Sequence, residues 1–340
     1  MTDIIQVVKG HVDPAKITVF GVVRNEMFYL PAFFEHYRGL GIRQFLMLDD
    51  RSDDGTEEFL RQQPDCVLFK SPLTYGERVN DQRAGHLWKN LIPQSHLMNQ
   101  WAICADADEF LFLPPQFSTV QEFTQALDAK GITAVSGSMV DFYPETISEM
   151  ENGSFPASCP EMFARYPWFD VGPYFRWSRA GDRQIVLHGG VRERLMRQYG
   201  VSKRGHDKSG LTALAHGLKV LLGLDRNFKS IGKVPLVRWE QGMHYPHSHK
   251  LDRPPHPELQ LAIAHMKFTG VLYKKIEAAI ASKAYSKGSR AYYAYAALLD
   301  KMKEKGGTFL YSGSRRFAGA QGFADAGLVN DIGLKPVKLS

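Results

Sequence analysis

Two carboxylates one residue apart can share a divalent cation, and the run Asp106-Ala107-Asp108-Glu109 offers such a pair. Mg²⁺ and Mn²⁺ prefer oxygen ligands and usually share them with substrate phosphates. A cation held there would neutralise charge developing on a leaving diphosphate. Taken alone, an Asp-x-Asp turn reads more readily as a solvated loop cap. Its surroundings argue for more. Trp101 to Ala105 is apolar, and Phe110-Leu111-Phe112-Leu113 follows at once, so three carboxylates interrupt an apolar stretch. That interruption is costly unless the groups face a cleft or a cation. Two other polar clusters end apolar runs in the same way: Arg24-Asn25-Glu26 after residues 17–23, and Asp49-Asp50 after residues 43–48.

The elements that position these clusters alternate. Residues 17–23 form an uncharged, β-branched run that predicts a buried parallel strand. Residues 27–40 carry apolar side chains at helical spacing and stop at Gly39 and Gly41. Residues 43–48 predict a second strand, and Asp53-Asp54-Gly55-Thr56 opens a helix to about Gln62 with acidic residues at its positive end. Strands follow at 66–69, 100–105 and 133–140, with helices at 77–91 and 119–129. This rhythm predicts a doubly wound, mostly parallel α/β sheet, whose ligands bind beyond the carboxyl ends of the strands. Residues 141–182, rich in Pro, Gly and aromatics, read as an irregular insertion. Residues 184–188 and 233–239 read as strands, 210–224 are ambiguous, and 258–304 read as helical. The Gly- and Ser-rich tail from Gly306 reads as a surface extension.

Composition sets bounds. The chain has 340 residues, a net charge of +6 and a pI near 9.0. That balance fits an anionic ligand or a peripheral contact with an anionic membrane surface. No long basic run with interleaved aromatics points to nucleic acid. Cys66, Cys104 and Cys159 form no CxxC pair, which argues against a disulfide framework and for a reducing, cytoplasmic setting. No stretch has the 18 or so apolar residues of a membrane span. His244, His247, His249 and His256 match no standard zinc spacing.

Val23-Arg24-Asn25-Glu26 with Tyr29-Leu30, then Asp49 to Thr56, then Trp101 to Phe110 together resemble the catalytic region of family 2-like glycosyltransferases with a GT-A fold, near glycosyltransferase family 92. Residues 233–239 and His265-Met266-Lys267-Phe268 are weaker echoes. The resemblance implies metal-dependent, inverting transfer of a sugar from a nucleotide-sugar donor, a UDP-sugar first of all, to a glycan or lipid-linked acceptor. It implies that Arg24, Asn25 and Glu26 line the nucleotide pocket and that Asp49, beside Asp50, reads the base or ribose. Asp106 and Asp108 would hold the ribose and Mn²⁺ or Mg²⁺, His265 would be a third metal ligand, and Arg78 and Arg83 would reach the donor. Glu193, in a Gly- and Arg-rich stretch after the Asp-x-Asp turn, is the candidate general base, with Asp141, Asp170 and Asp182 as competitors. In this scheme residues 1–140 hold the donor, 141–257 face the acceptor, and 258–340 add helices and a tail to one compact domain. Two rival classes remain: a nucleotidyl- or phosphotransferase, against which the absence of a Gly-rich phosphate loop after the first strand counts, and an inactive nucleotide-sugar-binding protein.

Overall fold

The apolar runs of the first 140 residues become buried strands with helices between them. The computed structural model describes residues 4–151, 154–172, 175–180, 184–201, 231–247, 249–282 and 286–337. After a short β1 (Gln6–Lys9) come β2 (Thr18–Val23), α1 (Leu30–Gly39), β3 (Phe45–Asp49), α2 (Thr56–Gln62) and β4 (Cys66–Lys70). A small hairpin, β5 (Arg78–Val79) and β6 (Gln82–Arg83), leads into α3 (Ala84–His96). Then follow β7 (Trp101–Cys104), β8 (Glu109–Phe112), α4 (Val120–Asp128) and β9 (Ala134–Tyr143). The next stretch holds α5 (Ile147–Glu151), α6 (Cys159–Arg165), β10 (Trp168–Asp170), a hairpin of β11 (Phe175–Ala180) and β12 (Gln184–Gly189), and α7 (Val191–Gln198). The chain ends with β13 (Gly232–Arg238), β14 (Gln260–His265), α8 (Leu272–Ser282), α9 (Ser286–Glu304), β15 (Ser314–Arg316) and α10 (Gly319–Asp325).

Among the described residues the main sheet has eleven strands, in the order β1-β4-β3-β2-β7-β13-β9-β10-β15, with β14 and β8 joined beside β9. Strands β4, β3, β2 and β7 are mutually parallel, as the alternating pattern predicts. The sheet as a whole is mixed. β13 lies antiparallel between β7 and β9, so those two point the same way, and β14 runs parallel to β9. The carboxyl ends of β2, β3, β7, β9 and β14 therefore share one edge, and β13 begins there.

Both faces of the parallel part are covered. Phe45 and Met47 pack with Val19 and Ile103 under Phe33, Phe34 and Tyr37 of α1. Leu46 and Leu48 pack with Phe20, Ala102 and Cys104 under Ala84, Trp88 and Ile92 of α3. Alternate residues of each strand thus serve opposite layers, the reason these runs carry so few charges. A third cluster joins Leu195 of α7, Leu272 and Ile276 of α8, and Leu298 and Met302 of α9.

Three expectations change. The helix expected over 77–91 starts only at Ala84, because Asn80 and Asp81 take φ of +48° and +61° and turn the β5–β6 hairpin. Two polar residues tolerant of left-handed backbone are a hairpin signal. The first part of the expected helical stretch 258–304 is β14, buried between β8 and β9. An apolar run covered on both faces loses the alternation that distinguishes a strand from a helix. The tail is not a surface extension: β15 pairs with β10, and Phe309, Phe323, Leu328 and Leu334 are buried. Residues 210–224 and Asp182 lie outside the described residues. Among the described residues no helix is long and apolar enough to cross a membrane.

Candidate active site

The three polar clusters meet on the shared edge. Gly21 of β2 makes their close approach feasible: a Cβ there would lie 2.4 Å from the carbonyl oxygen of Ala105, just before the acidic turn. The loop after β2 is clamped to the one after β3. Asn25 has φ +56°, its backbone N–H donates to Ser52 Oγ at 2.9 Å, and its side-chain oxygen accepts from the Asp53 N–H at 2.9 Å. Asp49 and Asp50 are 1% and 2% exposed. Asp49 Oδ2 accepts from Lys70 Nζ at 2.6 Å, and Asp50 Oδ2 from the Tyr75 N–H at 3.2 Å, with Arg24 at 3.5 Å. Burial pushes the Asp50 carboxyl above its usual range. The Oδ1 atoms of both residues are buried without a hydrogen-bond partner, and a buried acceptor left unpaired costs roughly 1–3 kcal/mol.

The carboxylates of the acidic turn are neutralised separately. Asp106 Oδ1 accepts from Lys89 Nζ of α3 at 2.6 Å, and its Oδ2 lies 3.6 Å from Lys233 Nζ at the start of β13. Lys233 also donates to the buried Glu109 carboxylate. Burial alone would raise Asp106, but Lys233 and Lys89 outweigh it and hold the carboxyl well below its usual value. Asp108 has different partners: its Oδ2 lies 3.6 Å from both His265 Nε2 of β14 and Lys275 Nζ of α8. Lys275 donates to Glu26 Oε1 and Oε2 at 3.0 and 2.9 Å and rests 4.7 Å from the centroid of Tyr29. Burial pushes Glu26 up to about 7 despite that ammonium.

Register places His265 opposite Asp141 of β9, and His265 Nδ1 pairs with Asp141 Oδ1 at 2.6 Å. Burial would lower His265, but the carboxylates on either side, Asp108 and Asp141, push it to about 10. A metal-binding imidazole usually has its second nitrogen held by a carboxylate. Asp108 and His265 therefore fit a divalent cation as two protein ligands, leaving the rest of its shell to phosphate and water. Asp106 does not join them, since Lys89 and Lys233 occupy its oxygens. Among the described residues no group of three His, Cys, Asp or Glu side chains converges on one metal position.

Arg78 and Arg83 lie on the β5–β6 hairpin, where Arg78 donates to the Asp81 carbonyl at 2.6 Å. Glu193 is buried in the first turn of α7, and its Oε1 accepts from Arg197 Nε at 3.0 Å, one turn on. Gly189 and Gly190, with φ of +101° and +92°, set the entry to that helix. Asp170 is closed off in a buried pair with Arg194, at 2.8 and 3.1 Å, and accepts from Tyr143 Oη at 2.5 Å. Sequence reasoning passed over Lys89, Lys233 and Lys275. A signal existed. Lys89 falls on the buried stripe Gly85, Trp88, Ile92 and Pro93 of α3, and Lys275 on the stripe Leu272, Ile276 and Ala279 of α8. A charge at a core position needs a partner.

Set against protein-family models and curated proteins, the chain matches none.

Proposed function

We propose that the chain is a glycosyltransferase of the GT-A type that takes a sugar from a nucleoside-diphosphate donor, with UDP-sugars the first choice, to a glycan or lipid-linked acceptor. One observation carries the reading: the unpaired, buried oxygens of Asp49 and Asp50 share a sheet edge with the Asp108–His265 pair. Two acceptor atoms without donors suit the N–H of a base or the hydroxyls of a ribose. One strand over, β2 carries Glu26, and the next strand, β7, carries the acidic turn. A nucleotide lying along that edge would have its base at β3 and its diphosphate near Asp108.

The side chains then divide the work. Asp49 and Asp50 accept from the nucleoside. Asp108 and His265 would hold Mn²⁺ or Mg²⁺, which when bound supplies charge neutralisation to the leaving diphosphate. Asp141 orients the His265 ring by holding Nδ1, and Lys275 offers an ammonium to the same anion. Lys89 and Lys233 hold Asp106 ionised toward the cleft. Glu193 is the candidate base for the acceptor hydroxyl, and reaching it requires release from Arg197.

A thermal-shift panel tests this. UDP, GDP, CDP and their sugar conjugates, each with and without Mn²⁺, should stabilise the protein selectively, with one nucleotide and the metal together giving the largest shift. A flat response across the panel would sink the assignment.

A further inference from the structure

We propose that Arg192 and Lys267 form an anion site for a phosphate carried by the acceptor, on the far side of the acidic turn from the nucleoside. It rests on the glycosyltransferase reading for the word acceptor, but not for the anion. Arg192 comes from the first turn of α7 and Lys267 from the loop after β14. Both cations face one ring: Arg192 Cζ lies 6.0 Å and Lys267 Nζ 5.3 Å from the centroid of Tyr295 in α9. Lys267 is also 5.6 Å from the centroid of Tyr292, and Arg192 Nη1 donates to Tyr295 Oη at 3.3 Å. Among the described residues neither cation has a carboxylate within salt-bridge distance.

The carboxylates nearest these two cations are held by other groups: Lys275 bridges Glu26 and Asp108, and Arg197 holds Glu193. Asp141 is the carboxylate that feels both Arg192 and Lys267, and it is already engaged by His265. Arg192 also stands at the positive end of α7, where an anion is favoured and a lone cation is not. A guanidinium, an ammonium and a tyrosine hydroxyl, brought about one ring from three elements, suit a phosphate, which takes several charge-assisted donors at once.

Position separates this site from the nucleoside. Asp49 is on β3 and Asp141 on β9, four strands apart in the order β3-β2-β7-β13-β9, or roughly 19 Å at about 4.8 Å per strand. Asp141 meets the His265 ring at Nδ1, the nitrogen that does not face Asp108, and Asp141 is the carboxylate that feels Arg192. Glu193 adjoins Arg192 in the chain, which brings a carboxylate to the same neighbourhood.

The probe is inorganic phosphate, titrated into the full chain saturated with UDP and Mg²⁺ and followed by thermal shift and ³¹P NMR. Wild type should take phosphate. Lys267→Met, on a loop whose backbone bonds are untouched, and Arg192→Gln should each weaken it at least tenfold while changing UDP affinity less than twofold. Unchanged phosphate affinity in both variants, or no phosphate binding by wild type, overturns the site. A tenfold loss of UDP affinity with UMP affinity unchanged assigns the cations to the donor's β-phosphate and overturns the acceptor assignment. Should wild type bind no UDP, the glycosyltransferase reading fails, and phosphate titrated alone still decides whether the anion site exists.

Discussion

Asp108→Asn removes one charge and almost no volume from the centre of the site. Asp108 Oδ2 is the atom that both His265 Nε2 and Lys275 Nζ approach at 3.6 Å. An amide there cannot bind a divalent cation as a carboxylate does, and one of the two proposed protein ligands is lost. Loss of a supporting partner alone weakens metal binding by about 10–100-fold, so a hundredfold is a conservative figure for a direct ligand. At a UDP concentration of about 100 Kd with Mn²⁺ present, wild type should gain about 2.7 kcal/mol of stability. The variant, then near its own Kd, should gain about 0.4 kcal/mol. For a chain of this size, at about 2 °C per kcal/mol, the ligand-induced shift in Tm should fall from roughly 5 °C to under about 1 °C. The ligand-free variant will itself melt lower, because a buried cation cluster loses a carboxylate, at a cost of up to about 3–5 kcal/mol. The difference between Tm with and without ligand is therefore the quantity to read, by differential scanning calorimetry. If Asp108→Asn keeps the wild-type shift with Mn²⁺ and UDP, Asp108 holds no metal and the division of labour above is wrong.

Three further outcomes can be measured directly. Asp49→Asn should lower UDP affinity about tenfold or more with little change in stability, since Lys70 keeps Glu57 at 2.6 Å; calorimetric titration showing unaltered UDP binding would refute the nucleoside role. Glu193→Gln should retain UDP binding and lose transfer by about 10²-fold or more, whereas near-normal turnover removes Glu193 from the chemistry. His36 is held neutral when folded, its pKa lowered by burial from 6.5 to about 4, with Nε2 against the Leu111 carbonyl at 2.8 Å. Between those values the unfolded chain binds the extra proton, so stability falls as pH drops from about 6.5 to about 4, by at most about 3 kcal/mol from this group. In His36→Gln, urea melts across that window should show a shallower slope, and an identical slope would contradict the assignment.

Much of the parallel half was legible because its strands obey one rule: a run buried on both faces has no charge until it reaches the edge. Asp49, Asp106 and Arg24 stood out for that reason. The rule fails where tertiary contact replaces local pattern. The β14 run Leu261-Ala262-Ile263-Ala264 has no period of its own, because both of its faces are buried. Asn80 and Asp81 broke the first part of the helix expected over 77–91. The site cations were harder still. Lys89 and Lys275 sit in otherwise unremarkable helices, and only their places on buried stripes mark them as paired. The pairing of His265 with Asp141, 124 residues apart in the chain, exists only through the β9–β14 register.

That register also dictates an order of assembly. Asp106, Asp108, Glu109 and Asp141 leave the ribosome well before Lys233, His265 and Lys275. Until β14 arrives to pair with β8 and β9, those two strands each keep an open edge and the acidic turn holds more negative charge than its neighbours can neutralise. A nascent or truncated chain ending before residue 260 would therefore carry both an aggregation-prone edge and a self-repelling centre. Formation of the Asp108–His265–Lys275 cluster and closure of the sheet become the same late event, so the proposed site is complete only when the last quarter of the chain has folded.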